Sequence, residues 1–472
     1  MVPATISYYG AAGPGVNEIA RLIQDRGFDL ETHSRWRGST GGPALGLPLS
    51  YDLHMSARPV PALVLSFEDA RRVVEEHAAG IKPAGTEVVD LLAARGRVLA
   101  EPVVADRDLP PFPRSTRDGY AVRSADLAEV PRTLDVIGEI KAGERPDRIL
   151  AGIGVGQAVS IMTGAPVPAG ADAVVMIEHT TQRASCVEIG LAVRPGENLV
   201  PRGAEAGEGS TLVERGARLN EASMALAASA GKAQLSVYRR PHVAVLTTGD
   251  EIVSLTAVPG PTQIRNSNSY SLAAQIEDAG GIPVLLPIAP DEPQRLRDWI
   301  EAGLRSGLLL LTGGVSMGRY DLVEQVLTEI EAEFFFTGAR IQPGRPVVFG
   351  KCCPPARENP RTYFFGLPGN PVSTMVTFSL FVRPLVEALA GRAPSKLTFV
   401  HAPLKSEIHV KPGLKRFLPA ILSGEFENSQ VELVPWQGSG DIAATARANC
   451  YIVVPADRER IAAGDFVALL MR

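Results

Sequence analysis

The feature that most constrains this 472-residue chain lies beyond Pro241. Four apolar runs, HVAVLTT, IPVLLPI, GLLLLTGG and TYFFGLP, are each bounded by turn residues. Helical patterns separate them: NSYSLAAQIEDAG, EPQRLRDWIEAGLR and RYDLVEQVLTEI. A strand that is apolar at nearly every position is covered on both faces. Strands that alternate with helices achieve this as βαβ units on a mainly parallel sheet. STMVTFSLFVRPLVEALAG closes that unit as a long apolar helix stopped at Gly391.

The flanking sequence has a different texture. Residues 1–62 carry one short amphipathic pattern, GVNEIARLIQDRGFDL, and otherwise loop composition, and Met55 is an alternative start. SFEDARRVVEEHA begins a helix with Ser66 as N-cap and Asp69 three residues on. VVDLLAARGRVLAEPVVA reads as a second short helix running into a strand. Short β-type runs between about 110 and 200 (GYAVRS, LDVIGEI, GQAVSIMTG, DAVVMIE, CVEIGLAV) predict a small sheet or barrel. NEASMALAASAG predicts a helix from Asn220 to a Gly231 cap. The expected fold class is therefore multidomain α/β plus β. An N-terminal extension over 1–62 is followed by a β-rich region with its linker over 63–240. An α/β domain occupies 241–392, and a small C-terminal β-barrel 393–472.

Composition narrows the function classes. Hydrophobic residues make up 45% and charged residues 21%, both near globular averages. The 46 glycines and 38 prolines follow no period, which predicts many turns rather than a fibre. A net charge of −5 gives no general case for binding nucleic acid or an anionic membrane. Four cysteines (Cys186, Cys352, Cys353, Cys450) without CxxC spacing predict free thiols in a reducing cytoplasm and no zinc site. No signal peptide and no apolar run approaching about 18 residues is expected, hence no membrane span.

Ligands of open parallel sheets bind outside the carboxyl ends of the strands. In this chain those ends read Gly249-Asp250-Glu251, Ala289-Pro290-Asp291, Gly313-Gly314-Val315-Ser316-Met317-Gly318 with Asp321, and Gly366-Leu367-Pro368-Gly369-Asn370-Pro371-Val372-Ser373. Glycines allow close backbone approach to phosphate, and acids beside them suit Mg²⁺, which bridges phosphate oxygens. For Asp291, capping of the following helix is a rival role. Gly314–Gly318 also matches GxSxG. A hydrolase elbow would need an acid and then a histidine downstream, yet only glutamates such as Glu358 or Glu387 precede His401 and His409. No HGGG-type segment, Walker A or Rossmann GxGxxG occurs.

Six motifs in order carry a resemblance: PPFPRSTRDGYAV (110–122), IMTGAPVPAGADAVVMIE (161–178), TTGDEI (247–252), TGGVSMGRYD (312–321), PGRPVVFG (343–350) and GLPGNPVS (366–373). From about Leu65 to Arg472 the chain resembles the molybdopterin molybdenumtransferases, the MoeA-type family that includes the gephyrin E domain. The resemblance implies an enzyme that inserts molybdenum from molybdate into adenylylated molybdopterin, releasing AMP with Mg²⁺. It also implies an elongated cytoplasmic homodimer with a cleft between subunits, and transient contact with a molybdopterin adenylyltransferase.

Carried onto this sequence, the resemblance makes Asp118, Glu251, Asp291 and Asp321 the catalytic carboxylates, with Asp321 and Asp291 on the metal. Thr163, Thr248, Gly249, Gly313, Gly314, Ser316, Gly318, Pro368, Gly369, Asn370 and Pro371 would contact the organic substrate. Arg345, Pro346, Ser373, Arg416 and Ser439 would contact molybdate. Two positions depart from the family pattern. Gln342-Pro343-Gly344-Arg345-Pro346 stands where KPGKP is common, and Glu205 stands where Asp is common. The other readings are a scaffold of the same fold, as the gephyrin E domain also serves, and a paralogue that takes tungstate.

Overall fold

The computed structural model describes residues 63–144, 152–314, 322–352, 362–393 and 396–472. The segment 1–62 of the sequence reading lies outside them. The chain forms two compact units, one spanning Val88–Val237 and the other formed by the described residues up to Glu87 and from Tyr238 onward.

Helix α1 (Phe67–Ala79) starts as the sequence predicts: the Ser66 hydroxyl accepts the Asp69 N–H at 3.0 Å. Phe67, Ala70, Val74 and Ala78 form its buried stripe at helical spacing. The expected second helix is instead a strand, Thr86–Asp90, followed by a single 3₁₀ turn at Leu91–Ala94. Thr86, Val88 and Val89 are β-branched, which favours the extended chain over helix.

The Val88–Val237 unit holds a six-stranded sheet. Its strands are β1 (Gly119–Val122), β2 (Arg132–Ile140), β3 (Gln157–Ile161), β4 (Ala173–Met176), β5 (Thr180–Arg183) and β6 (Cys186–Ile189). Their order is β4-β1-β3-β2-β6-β5, antiparallel except for β2 with β3. Helix α2 (Glu221–Ser229) begins with a capping box between Asn220 and Ser223 and ends before Gly231, whose φ is 70°.

The other unit contains the alternating pattern. In chain order it comprises β7 (His242–Thr247), α3 (Asn268–Asp278), β8 (Ile282–Leu285), α4 (Pro293–Gly303), β9 (Leu308–Thr312), α5 (Leu322–Glu329), β10 (Glu333–Phe336), β11 (Ile341–Gln342), β12 (Val348–Cys352) and β13 (Thr362–Leu367). The sheet order is β8-β7-β9-β13-β12-β10, parallel from β8 to β13 and antiparallel beyond. Both faces are covered, as the unbroken apolar runs require. Val243, Val245, Leu308 and Leu310 enter one hydrophobic cluster with α3 and α1. Ala244, Leu246, Leu309 and Leu311 enter another with Leu296 and Ile300 of α4 and Val323 of α5.

The long apolar helix runs from Pro371 to Leu389 as α6 (Pro371–Thr377), a π segment (Phe378–Val382) and α7 (Arg383–Leu389). It is long and apolar enough to cross a membrane, contrary to the sequence expectation. Its buried residues pack into the core instead, from Val372 to Ala388. A final sheet joins β11 to β15 (Lys415–Ser423), β17 (Cys450–Val454), β18 (Phe466–Met471) and β14 (Phe399–Pro403) in that order, with β16 (Gln430–Leu433) paired to β15. Cys352 and Cys450 are buried cysteines and Cys186 is a half-buried one.

Candidate active site at the strand ends

The register of the parallel sheet brings four loops into one row. Thr247 of β7 lies opposite Thr312 of β9, and Thr312 lies opposite Leu367 of β13. A parallel bridge from Thr248 to Ala289 adds the loop after β8. Along the row stand Ala289–Asp291, Thr248–Glu251, Gly313–Gly314 and Pro368–Pro371. Ser316, Gly318 and Asp321 lie outside the described residues. Gly313 (φ 91°) is required where it stands, because a Cβ would come within 2.4 Å of the Thr248 carbonyl oxygen.

Beneath the row is a buried polar network that the sequence reading missed. The Asn268 side-chain amide donates to Thr312 Oγ1 at 3.0 Å and to the Gly369 carbonyl at 2.7 Å. It thus ties the loop after β9 to the loop after β13. Asn266 accepts the Ser269 N–H at 3.1 Å, and the Ser269 and Thr247 hydroxyls lie 2.8 Å apart. Two asparagines in RNSNSY, at the head of an amphipathic helix that follows a strand end, were the available signal. Among the described residues, Asn268 Oδ1 and Thr248 Oγ1 are buried without a partner. Orphaned buried acceptors cost about 1–3 kcal/mol each, and such frustration is typical where a ligand docks.

The carboxylates crowd one side of the row. The Asp291 backbone N–H donates to Asp250 Oδ1 at 3.3 Å. Burial first, and then the charges of Asp250 and Glu251, push the Asp291 carboxyl above its ordinary value. Asp291 is not a helix cap: Glu292 is the N-cap of α4 and Pro293 follows it. Among the described residues no three metal-ligating side chains converge on one point. The donor chemistry still fits Mg²⁺. It prefers carboxylate oxygens in small number and keeps water or phosphate in its other positions, and a cation would relieve the repulsion on Asp291.

Beyond β13, the neighbouring segments carry polar side chains and two arginines. Asn370 extends its amide to Ser439 Oγ at 2.9 Å, and the Val372 N–H donates to the Ser439 carbonyl at 3.0 Å. Gly344 sits against α6, where a Cβ would lie 2.4 Å from Thr377 Cγ2 and 3.6 Å from the Ser373 carbonyl. The adjoining Arg345 is exposed, with Pro346 half-buried beside it. Ser373 is only 4% exposed. Arg416 is 9% exposed, donates to the Lys411 carbonyl at 2.5 Å and, among the described residues, leaves Nε buried without a partner. It lines a hollow of about 370 Å³ with Gln342, Lys411 and Trp436. Gln342 is also the register partner of Arg416.

Within the Val88–Val237 unit, Asp118 and Thr163 meet because β1 and β3 pair with Gly119 opposite Ile161. The Asp118 carboxylate accepts the Thr163 N–H at 2.6 Å and its hydroxyl at 2.9 Å. Those bonds, the backbone one first, hold Asp118 below its ordinary value. Glu205, one of the departures from the family pattern, forms an ion pair with Arg114 at 3.0 Å.

This chain shares 36% identity over 394 residues with a molybdopterin molybdenumtransferase of Nostoc sp., covering 82% of this chain and 88% of the relative. The chain belongs to the molybdopterin molybdenumtransferase family. A Haemophilus influenzae protein of the same name is 34% identical over 82% of this chain and 94% of its own. Three family models match in order: the MoeA N-terminal region (domains I and II) at 65–231, a molybdopterin binding domain (MoCF_biosynth) at 244–388, and the MoeA C-terminal region (domain IV) at 401–471. The crystal structure of the molybdopterin biosynthesis MoeA protein from Pyrococcus horikoshii has a TM-score of 0.65 at 32% identity, covering 86% of this chain and 99% of that one. The MoeA-type architecture is thus that of this chain: an α/β domain with β-rich N- and C-terminal domains. Like its family, the chain is an enzyme.

Proposed function

We propose that this enzyme inserts molybdenum from molybdate into adenylylated molybdopterin, releasing AMP in a Mg²⁺-dependent reaction. The observation that carries the reading is the row of strand-end loops, with carboxylates at one end, a glycine turn at the centre and anion-seeking groups at the other. In this scheme the N–H groups of Gly313 and Gly314, with Ser316 and Gly318, cradle the pyrophosphate. Thr248, Gly249, Pro368, Gly369, Asn370 and Pro371 shape the walls around the organic substrate. Arg345 with Pro346, Ser439 and the Ser373 segment hold molybdate, a tetrahedral dianion that needs a cation and donors. Arg416 supplies a second positive charge on the same side.

Asp291 and Asp321 would hold Mg²⁺, which would neutralise pyrophosphate charge. Glu251 or Asp118 orients the attacking oxygen as a base. The enzyme works as a cytoplasmic homodimer in which Asp118 and Thr163 of one subunit complete the site of the other, and it receives its substrate from the adenylyltransferase by transient contact. The test is molybdenum incorporation by wild type and Asp321→Asn at varied Mg²⁺. Loss of Mg²⁺-dependent turnover in a variant that melts normally supports the scheme. Full activity removes Asp321 from it.

A further inference from the structure

We propose that Ser115 is a positioning residue that holds the Asp118 carboxylate on Thr163, an inference that rests on the reading that Asp118 takes part in the reaction. Ser115 has no exposed surface, whereas Arg117 and Asp118 in the same turn are exposed. It therefore touches no substrate, and its part in turnover passes through its neighbours.

Its backbone is latched to the turn that carries Thr163. Arg114–Ser115 is a two-residue strand paired with Leu199–Val200. The Ser115 N–H donates to the Ala165 carbonyl at 3.0 Å, and the Ser115 carbonyl accepts the Gly164 N–H at 2.8 Å. Gly164 and Ala165 follow Thr163 directly. The side chain reaches toward Asp118. Ser115 Oγ donates to the Arg117 carbonyl at 2.5 Å and accepts the Arg117 N–H at 3.1 Å, so one hydroxyl closes the turn immediately before Asp118. The far end of that turn is fixed as well. The Asp118 carbonyl accepts the Ile177 N–H at 3.0 Å, and a Cβ on Gly119 would lie 1.9 Å from the Val175 carbonyl oxygen. Two exposed residues thus hang between buried anchors, and Ser115 is the anchor that also holds the Thr163 turn. The 2.6 and 2.9 Å bonds from Thr163 to Asp118 span 45 positions in sequence and depend on that shared anchor.

The test compares wild type, Ser115→Ala, Asp118→Asn and the double variant of the full chain. Turnover is measured together with carbon-13 titration of the Asp118 carboxyl, assigned as the resonance that Asp118→Asn removes. Ser115→Ala can neither donate nor accept at this position. It should lower kcat about tenfold, with KM for molybdate within about twofold, and make Asp118 titrate at higher pH than in wild type. In the Asp118→Asn background the same substitution should cost no more than about twofold, because residues that act through one another are not additive. Ser115→Cys fills the same space with a sulfur that bonds only weakly, and should show the same pattern where the alanine variant does not fold. An Asp118 titration that does not move, or an equal loss of kcat in both backgrounds, overturns the positioning role. So does a Ser115→Ala kcat within about twofold of wild type while Asp118→Asn is impaired. If Asp118→Asn turns over as wild type does, the reading of Asp118 fails, and the titration alone decides whether Ser115 positions its carboxylate.

Discussion

Two carboxylate sites of this molecule titrate in opposite directions. Asp118 sits in the β-rich unit with its charge answered by the N–H and hydroxyl of Thr163, so ionisation is favoured. Asp291 sits at the strand ends, partly desolvated and facing Asp250 and Glu251, so ionisation is disfavoured. The first is a finished arrangement that holds a fixed negative charge in one place. The second is incomplete, and a cation would complete it. In the proposed scheme, hydrogen bonding suits Asp118 to orienting chemistry, and burial with the neighbouring carboxylates suits Asp291 to binding metal.

The largest effect should come from Asp118→Asn. If its fixed charge orients the reacting oxygen, turnover falls about 10²–10⁴-fold while the melting temperature stays put. A loss below tenfold in steady-state assays would reduce Asp118 to a structural turn residue. Next, Arg345→Ala should raise the KM for molybdate about tenfold or more, the worth of a charge-assisted hydrogen bond, with little change in kcat.

Asn268→Ala should destabilise the protein by about 1–3 kcal/mol in urea unfolding, because it removes buried hydrogen bonds to Thr312 Oγ1 and the Gly369 carbonyl. The smallest effect sharpens the comparison itself. A carboxyl raised in the fold binds its proton more tightly there than in the unfolded chain. Its contribution is favourable at low pH and is lost as pH rises through the carboxylate range. Asp291→Asn should therefore stabilise the fold at neutral pH without divalent cation, by less than about 1 kcal/mol given its exposure, and raise the melting temperature slightly. Saturating Mg²⁺ should shrink that gain. Asp118→Asn should show no such gain.

The sheet and its strand ends were legible because the parallel strands β7, β8, β9 and β13 are apolar at nearly every position and are followed by glycine, acid or hydroxyl residues. Register then had little freedom, and residues distant in sequence, Thr248, Gly313 and Pro368, fell into one row. The strand at Thr86–Asp90 was misread because LLAA has strong helix propensity and masks the β-branched run before it. Asn268 was overlooked because its role is long-range: it bonds Gly369, 101 residues away. The meeting of Asp118 with Thr163 was likewise invisible to spacing, since it depends on β1 pairing directly with β3, with β2 intervening in the sequence. The QPGRP departure was visible in sequence, but its placement against α6 was not.

The most direct measurement is the release of AMP from adenylylated molybdopterin by the purified enzyme, with molybdate and Mg²⁺ supplied separately and together. The account predicts AMP release only when both are present, matched by molybdenum incorporated into the cofactor. AMP release that ignores molybdate and Mg²⁺, or no release with both present, would contradict it.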